Sequence, residues 1–352
     1  MYFKKTFLTG CLTMALSVAH AQTAPDHITV AGGFNPIPLM IKAGEKLVSK
    51  FPQYKPPQIL YNDSSIGFSL FCAGTGVETP SINTATRQMR PAEIELCNKN
   101  GVNEIVEIKL GNDALVTAQG QDGRLNQISR KELFLAMAKN VPDPKDGTKL
   151  IPNPYKEWKE INPTLPSLKI QIVAPEPKIG LYQSFVAGVV LPGCRQVDAF
   201  KALATSDPKQ FEAVCKSFRK DNAYTEYTLP QVAAQELKNN PNGLGLIPLT
   251  MVAKESLKNV SLDNIYTSFT SVAADMNDLV FPILVFVKKP HVALIPGFKE
   301  YLDELTSEDA IGTAGYFYGM GMIPLPRFER EQARTAAKTL KVVTQKKTAT
   351  SS

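Results

Sequence analysis

Apolar positions along this chain fall in short continuous runs, each followed by a polar or glycine turn and then by apolar residues at helical spacing. The first unit is Val30-Ala31-Gly32-Gly33-Phe34-Asn35-Pro36-Ile37-Pro38, a strand entering a double glycine. It leaves through Leu39, Met40, Ala43, Leu47 and Val48, a pattern that predicts a helix to Lys50. Gly32 and Gly33 permit a tight turn, Asn35 is placed to cap, and Pro36 sits where a helix tolerates proline. Such a turn offers backbone N–H groups and the positive end of a helix dipole to an anion, although the same turn also serves as a plain connection.

The motif recurs. Gln58 to Tyr61 reads as a strand, then comes Asn62-Asp63-Ser64-Ser65-Ile66-Gly67, with Ser64 or Ser65 placed to cap a helix over Phe68 to Ala73. Ser81 to Arg87 contains a third strand end, and Pro91 to Cys97 opens a helix with proline and acids in its first turn. Val106 to Leu110 and Ala114 to Thr117 are expected as two strands. Ser129 to Ala138 is a helix with a capping box formed by Ser129 and Glu132. Val141 to Pro166 holds six prolines and reads as a long ordered loop. Strands are expected over Leu168 to Val173, Gly243 to Pro248 and Phe281 to Val287. Helices are expected over Leu181 to Val190, Pro208 to Arg219, Leu229 to Asn239, Gly297 to Leu305 and Ser307 to Phe317. Alternation of this kind predicts an α/β class with mostly parallel sheets, whose ligands bind beyond the carboxyl ends of strands.

The N-terminus reads as an export signal. Lys4 and Lys5 form its charged part, Phe7 to Val18 its apolar part, and Ala19-His20-Ala21 a cleavage site after Ala21. No later run is long and apolar enough to span a bilayer, so a soluble exported chain is expected. Cys72, Cys97, Cys194 and Cys215 then suggest two disulfides. Three pairings exist; the sequence-local one, Cys72–Cys97 and Cys194–Cys215, is the expectation.

The formal charge of +6 resides in the signal and in the stretch from Arg327 onward, where seven basic residues face Glu329 and Glu331. The body between is close to neutral, which gives no basic surface for nucleic acid. Residues 327–352 are expected as a basic tail, helical or fraying into disorder. His27 and His291, the histidines left after signal removal, are expected at the surface, so zinc, Ser-His-Asp and Cys-His chemistry lack support. Neither a phosphate-binding P-loop nor a G-x-S-x-G elbow occurs. No enzyme, metal or cofactor is expected, and Phe68, Phe71, Tyr316, Phe317 and Tyr318 read as core rather than as a stacking platform.

The order of motifs resembles the periplasmic phosphate-binding proteins of ABC phosphate importers, the PstS-like family. The residues that carry the likeness are Gly32 to Pro38, the serine turn before Gly67-Phe68, Phe71-Cys72-Ala73-Gly74 and Asn83-Thr84-Ala85-Thr86-Arg87. Asn242-Gly243-Leu244-Gly245-Leu246, Phe281-Pro282, Val287-Lys288-Lys289-Pro290 and Gly321 to Pro326 complete it. The resemblance implies a two-lobe periplasmic binding protein fold of type II, with two crossover strands and a hinged clamp around the ligand. Lobe one would hold residues 26–110 and 281–326, and lobe two residues 111–280. It also implies a monomer in the periplasm that captures phosphate or a related oxyanion for an ABC permease.

Carried over residue by residue, the ligand set is Phe34 and Asn35, Ser64, Arg87 and Gly180, with Ser65, Lys178 and Tyr182 as further candidates. One turn departs from the family. Relatives carry Ser-Gly-Thr-Arg where this chain has Ile179-Gly180-Leu181-Tyr182, so two hydroxyls and a cation are missing. Hydrogen bonds to a charged group contribute roughly 1.5–3 kcal/mol each, and losing three costs ~5 kcal/mol or more unless Lys178, Tyr182 or Gln183 compensates. Two expectations follow: an oxyanion-binding protein of an importer, or an exported interaction or scaffold protein that has lost phosphate or binds another ligand.

Overall fold

The computed structural model describes residues 25–33, 35–147, 149–177, 179–273 and 278–342. The expected signal, the candidates Phe34 and Lys178, and the end of the expected tail from residue 343 lie outside the described residues.

Three strand–helix units open the chain. Strand β1 (Thr29–Gly32) leads to helix α1 (Ile37–Lys50), β2 (Gln58–Tyr61) to α2 (Ser64–Phe71), and β3 (Ile82–Ala85) to α3 (Pro91–Lys99). β1 lies between β2 and β3, parallel to both, so all three helix starts gather at one edge of the sheet. The chain continues through β4 (Ile105–Gln119), β5 (Gln127–Ile128) and α4 (Arg130–Met137), whose start carries the predicted Ser129–Glu132 capping box. β6 (Asn140–Pro142) and β7 (Leu150–Pro152) form a small hairpin within the proline-rich segment, which buries Trp158. β8 (Ile172–Pro175), β9 (Tyr224–Tyr227), β10 (Leu244–Pro248), β11 (Lys258–Leu262) and β12 (Val280–Lys288) complete the strands.

The main sheet runs β2-β1-β3-β12-β4-β10-β8-β9, with β11 and β5 attached beside β4. This is the expected α/β architecture, but mixed rather than mostly parallel: β12 runs antiparallel to β3 and β4, and β4 antiparallel to β10 and β11. β4 departs from expectation because it is one strand of 15 residues where the polar Gly111-Asn112-Asp113 suggested a break. Pairing accounts for the continuity. Asn112 lies opposite Pro282 of β12 and also exchanges backbone hydrogen bonds with Ile323, at 2.9 and 2.8 Å.

One core gathers Val106, Ile108 and Leu110 of β4 with Ile283, Val285 and Val287 of β12, α1, and the helix Phe298–Leu305. Another gathers Leu115 of β4 with Phe134, Trp158, Phe185 and Val189. Burying each such side chain contributes about 1.5–3 kcal/mol. Disulfides Cys72–Cys97 and Cys194–Cys215 tie segments 25 and 21 residues apart, the sequence-local pairing.

Several predicted elements shift. Leu168 and Ile170 bond to the Lys156–Trp158 segment, so β8 begins only at Ile172. The helix from Leu181 passes through a π turn, Val186–Val190, and reaches Arg195. The helix from Pro208 stops at Cys215, because Arg219 turns back to Asp221 and to the carbonyls of Ala136 and Tyr155. Ser307 to Phe317 splits into Glu308–Ile311 and Tyr316–Gly319, since Gly312 and Gly315 both take extended backbone, with ψ 168° and 160°.

His291 is a correction. It is buried rather than exposed, with Nδ1 3.0 Å from the Ser81 hydroxyl and Nε2 3.0 Å from the Thr75 carbonyl. Tyr318, expected in the core, is exposed. The described part of the tail is helical, as expected, but it packs against the body. Helix Arg327–Thr339 buries Ala333 and Ala337 in the core of α1, and Arg330 donates to the Leu325 carbonyl and pairs with Glu308.

Asp113 is fully buried in β4, where it accepts from Ala114 N at 2.8 Å, Thr250 N at 3.2 Å and Thr250 Oγ1 at 2.6 Å. Burial outweighs these bonds and pushes its carboxyl from 3.8 up to about 6. Between those values the unfolded chain is ionised while the folded chain keeps its proton, so stability falls as pH rises through that window and is level above it. Urea unfolding of wild type and Asp113→Asn from pH 4 to 8 checks this. The wild type is expected to lose stability relative to the variant up to about pH 6; parallel profiles would contradict the assignment.

Candidate functional site

A cleft opens where the carboxyl ends of β1, β2 and β3 face those of β8 and β9. Gly33, Asn35, Asp63, Ser64 and Thr86 form one wall; Ile179, Gly180, Leu181, Thr228 and Pro230 form the other. Each wall is built from the residues that end a strand and begin a helix. Its volume is about 30 Å³. Since one water needs about 10–15 Å³ on this measure, the cleft fits a small ion or a few waters.

The first turn works differently from its sequence reading. α1 begins at Ile37, and Pro36, not Asn35, takes the cap position, with no side-chain cap. Asn35 is instead buried, and its Nδ2 finds no hydrogen-bond partner among the described residues. Leaving such a group unpaired costs about 1–3 kcal/mol, which a ligand oxygen would offset. Gly32 has φ +117°, and a Cβ there would lie 2.2 Å from the Thr84 carbonyl oxygen. A Cβ on Gly67 would lie 2.5 Å from Gly32 Cα, so only glycines let α2 approach β1 this closely.

At the second turn Asp63 is the cap, a correction to Ser64 and Ser65. Its Oδ1 accepts from Ser65 N at 2.6 Å and Ile66 N at 2.9 Å. The buried Ser64 hydroxyl takes no part in the cap and faces Gly33, where an added Cβ would be 3.1 Å away. The walls meet at Thr86 and Gly180, with 3.8 Å between the Thr86 hydroxyl and the position of a Cβ on Gly180.

The other candidates lie elsewhere. Arg87 grips Glu93 with both terminal nitrogens, at 2.8 and 2.7 Å, donates to Ser65 Oγ at 3.0 Å, and lies over the Phe68 ring. Neither Arg87 nor Ser65 is among the cleft walls. Tyr182 is half-buried and lines a neighbouring groove with Lys216, Phe218 and Tyr224. Asp63 is the one ionisable side chain among the described lining residues, and its carboxylate serves the helix. The polar groups that the described residues offer this cleft are therefore hydroxyls, an amide and helix starts. Asp63, Thr86, Thr228 and Pro230 are lining residues the sequence reading passed over. The Asp-Ser-Ser sequence and the Thr-Leu-Pro entry to the helix Pro230–Asn239 are the signals that mark two of these turns.

Residues 17–309 match the PBP superfamily domain. The chain is 28% identical over 119 residues to Protein SphX of Synechococcus elongatus, a match covering 34% of this chain and about a third, 31%, of that relative. Among solved structures it is similar to the phosphate-binding protein of Stenotrophomonas maltophilia (TM-score 0.60, 11% identity, 88% of this chain, 93% of that one). It is also similar to an ABC-type phosphate transport receptor of Vibrio cholerae (TM-score 0.50, 17% identity, 85% of this chain, 100% of that one). At such identities the structural likeness establishes the fold.

Asp63 and Ser64 are separable by experiment. Asp63→Ala is expected to cost about 1 kcal/mol through loss of the cap. Ser64→Ala is expected to change stability little, because alanine is the better helix former. Denaturant midpoints of both variants check this, and equal losses would move the cap to Ser64.

Proposed function

The chain belongs to the PBP superfamily, and from that membership we propose that it is an exported substrate-binding protein that captures phosphate or a related oxyanion between its lobes for an ABC importer. The observation that carries the reading is the cleft itself. Helix starts and strand ends from both sides converge there on a space the size of a small ion. Ser64 donates its hydroxyl, Asn35 its unpaired amide, and Gly180 lets the second wall approach without a side chain. Phe34, a candidate from the resemblance, lies outside the described residues. Thr86 adds a hydroxyl that the carry-over did not include.

A site whose described lining residues include no cation can hold an oxyanion when backbone N–H groups and helix dipoles point at it. Arg87 acts behind this site by ordering the segment between α2 and α3 through Glu93 and Ser65. Lobe one (26–110 and 281–326) and lobe two (111–280) rotate about β4 and β12, as in hinge closure. Residues 1–21 direct export to the periplasm, where the two disulfides persist. The mature chain works as a monomer with an ABC permease as its partner.

Calorimetry on refolded, ligand-stripped protein tests the reading with phosphate and sulfate. Phosphate is expected to give a heat of binding and a thermal shift, and Ser64→Ala is expected to weaken it about tenfold. No heat and no shift with either anion would overturn oxyanion capture and leave the exported interaction or scaffold role.

A further inference from the structure

Asn35 belongs to two cavities at once. Besides the cleft, it lines a chamber of about 290 Å³ on the other side of the turn, walled by Pro38, Leu39, Met251 and Met320. The cleft alone offers about 30 Å³, and the larger space shares Asn35 with it as a lining residue. Leu39 and Met251 are buried, and Thr250 is tied to the buried Asp113. The chamber's far side is held close as well: Gly321 has φ +90°, and a Cβ on it would lie 2.8 Å from Thr250 Cα. Lys254, on the exposed rim, is the one ionisable side chain among the described lining residues.

Water in such a chamber is poorly served, because an ordered water needs two to four polar partners and these walls are mostly aliphatic and thioether. An apolar group placed there would displace that water favourably, and methionines adapt to the shape of what they meet. Asn35 stands at the junction with an amide hydrogen-bond donor that is buried and unpartnered among the described residues.

We infer that the cleft and the chamber form one composite site for a tetrahedral phosphorus oxyanion bearing a single short apolar substituent. The oxyanion sits against Ser64, Gly180 and the Asn35 amide; the substituent passes Asn35 into the space between Leu39, Met251 and Met320. This rests on the oxyanion reading of the cleft and narrows it to a ligand class. It also accounts for the two hydroxyls and the cation that the Ile179-Gly180-Leu181-Tyr182 turn lacks. A ligand anchored partly by its apolar substituent needs fewer ionic contacts at its head.

Calorimetry with inorganic phosphate, n-butylphosphonate and n-butyl phosphate tests the inference on the ligand-stripped mature chain. Both the phosphonate and the ester are measured because either linkage presents the same head and tail. At least one butyl compound is expected to bind roughly tenfold or more tighter than phosphate, from burial of the alkyl chain. Gly319→Phe adds bulk at the rim of the chamber, where an added Cβ meets no atom within 4 Å and so is tolerated. It is expected to abolish the butyl preference and leave phosphate affinity unchanged. Met251→Ala, which enlarges the chamber, is expected to shift preference toward longer alkyl chains. Phosphate binding without a butyl preference overturns the composite site and leaves oxyanion capture standing. A preference that neither Gly319→Phe nor Met251→Ala alters also overturns it, since the substituent would then lie elsewhere. Absence of binding by all three compounds removes both readings together.

Discussion

A single strand, β4, is shared by the cores on either side of the cleft, and the geometry of the site depends on it. Its first ten residues pair with β12, and its last five pair with β10 and β11. Val106, Ile108 and Leu110 pack into one core, while Ala114, Leu115, Val116 and Ala118 pack into those beyond the crossover. Breaking the strand would expose apolar side chains and backbone groups on both sides at once. The hand-over is marked by Asp113, a buried carboxylate that holds the start of helix Leu249–Glu255. That helix forms part of the chamber beside the cleft, so the strand's one buried charge orients a wall of the proposed site.

The remaining architecture presents helix starts to a common point. Parallel β1, β2 and β3 align their carboxyl ends, and β8 and β9 do the same on the opposing side. Close contacts at Gly32 and Gly67 bring α2 against the sheet, which sets Ser64 beside Gly33. A charged ligand in this space would meet dipoles and hydroxyls held by the scaffold, with little side-chain entropy left to lose. Buried polar groups away from the cleft hold the scaffold in place. Lys288 donates to the Gly74 carbonyl and Thr79, and His291 bridges Ser81 and Thr75, which together fasten the loop between α2 and β3 beneath the Cys72–Cys97 bridge. Burial lowers the proton affinity of both groups.

Where a feature depends on a few neighbouring residues, the sequence was enough to read it. The capping box of α4, the proline start of α3, the α/β alternation and the helix-start turns of the cleft are all of this kind, because backbone preference and local hydrogen bonds decide them. Pairing and burial decided the rest. Asn112 and Asp113 look like a turn until β12 and Ile323 supply partners. Asp63 rather than a serine caps α2, since its carboxylate reaches two N–H groups at once. Arg87 sits six residues from Glu93, and only the folded loop shows that the carboxylate takes both terminal nitrogens. His291 and helix Arg327–Thr339 look like surface in a linear reading, yet groups more than 200 residues away along the chain enclose them.

The sequence by itself thus determined the fold class and the turns that border the cleft, because short-range backbone preferences and hydrophobic period encode them, whereas it left three disulfide pairings open. Which side chains face that cleft, which are consumed by their neighbours, and that Asn35 lines both the cleft and a second chamber were decided only by tertiary structure. Those outcomes depend on distances between residues far apart in the chain, and no local pattern records them.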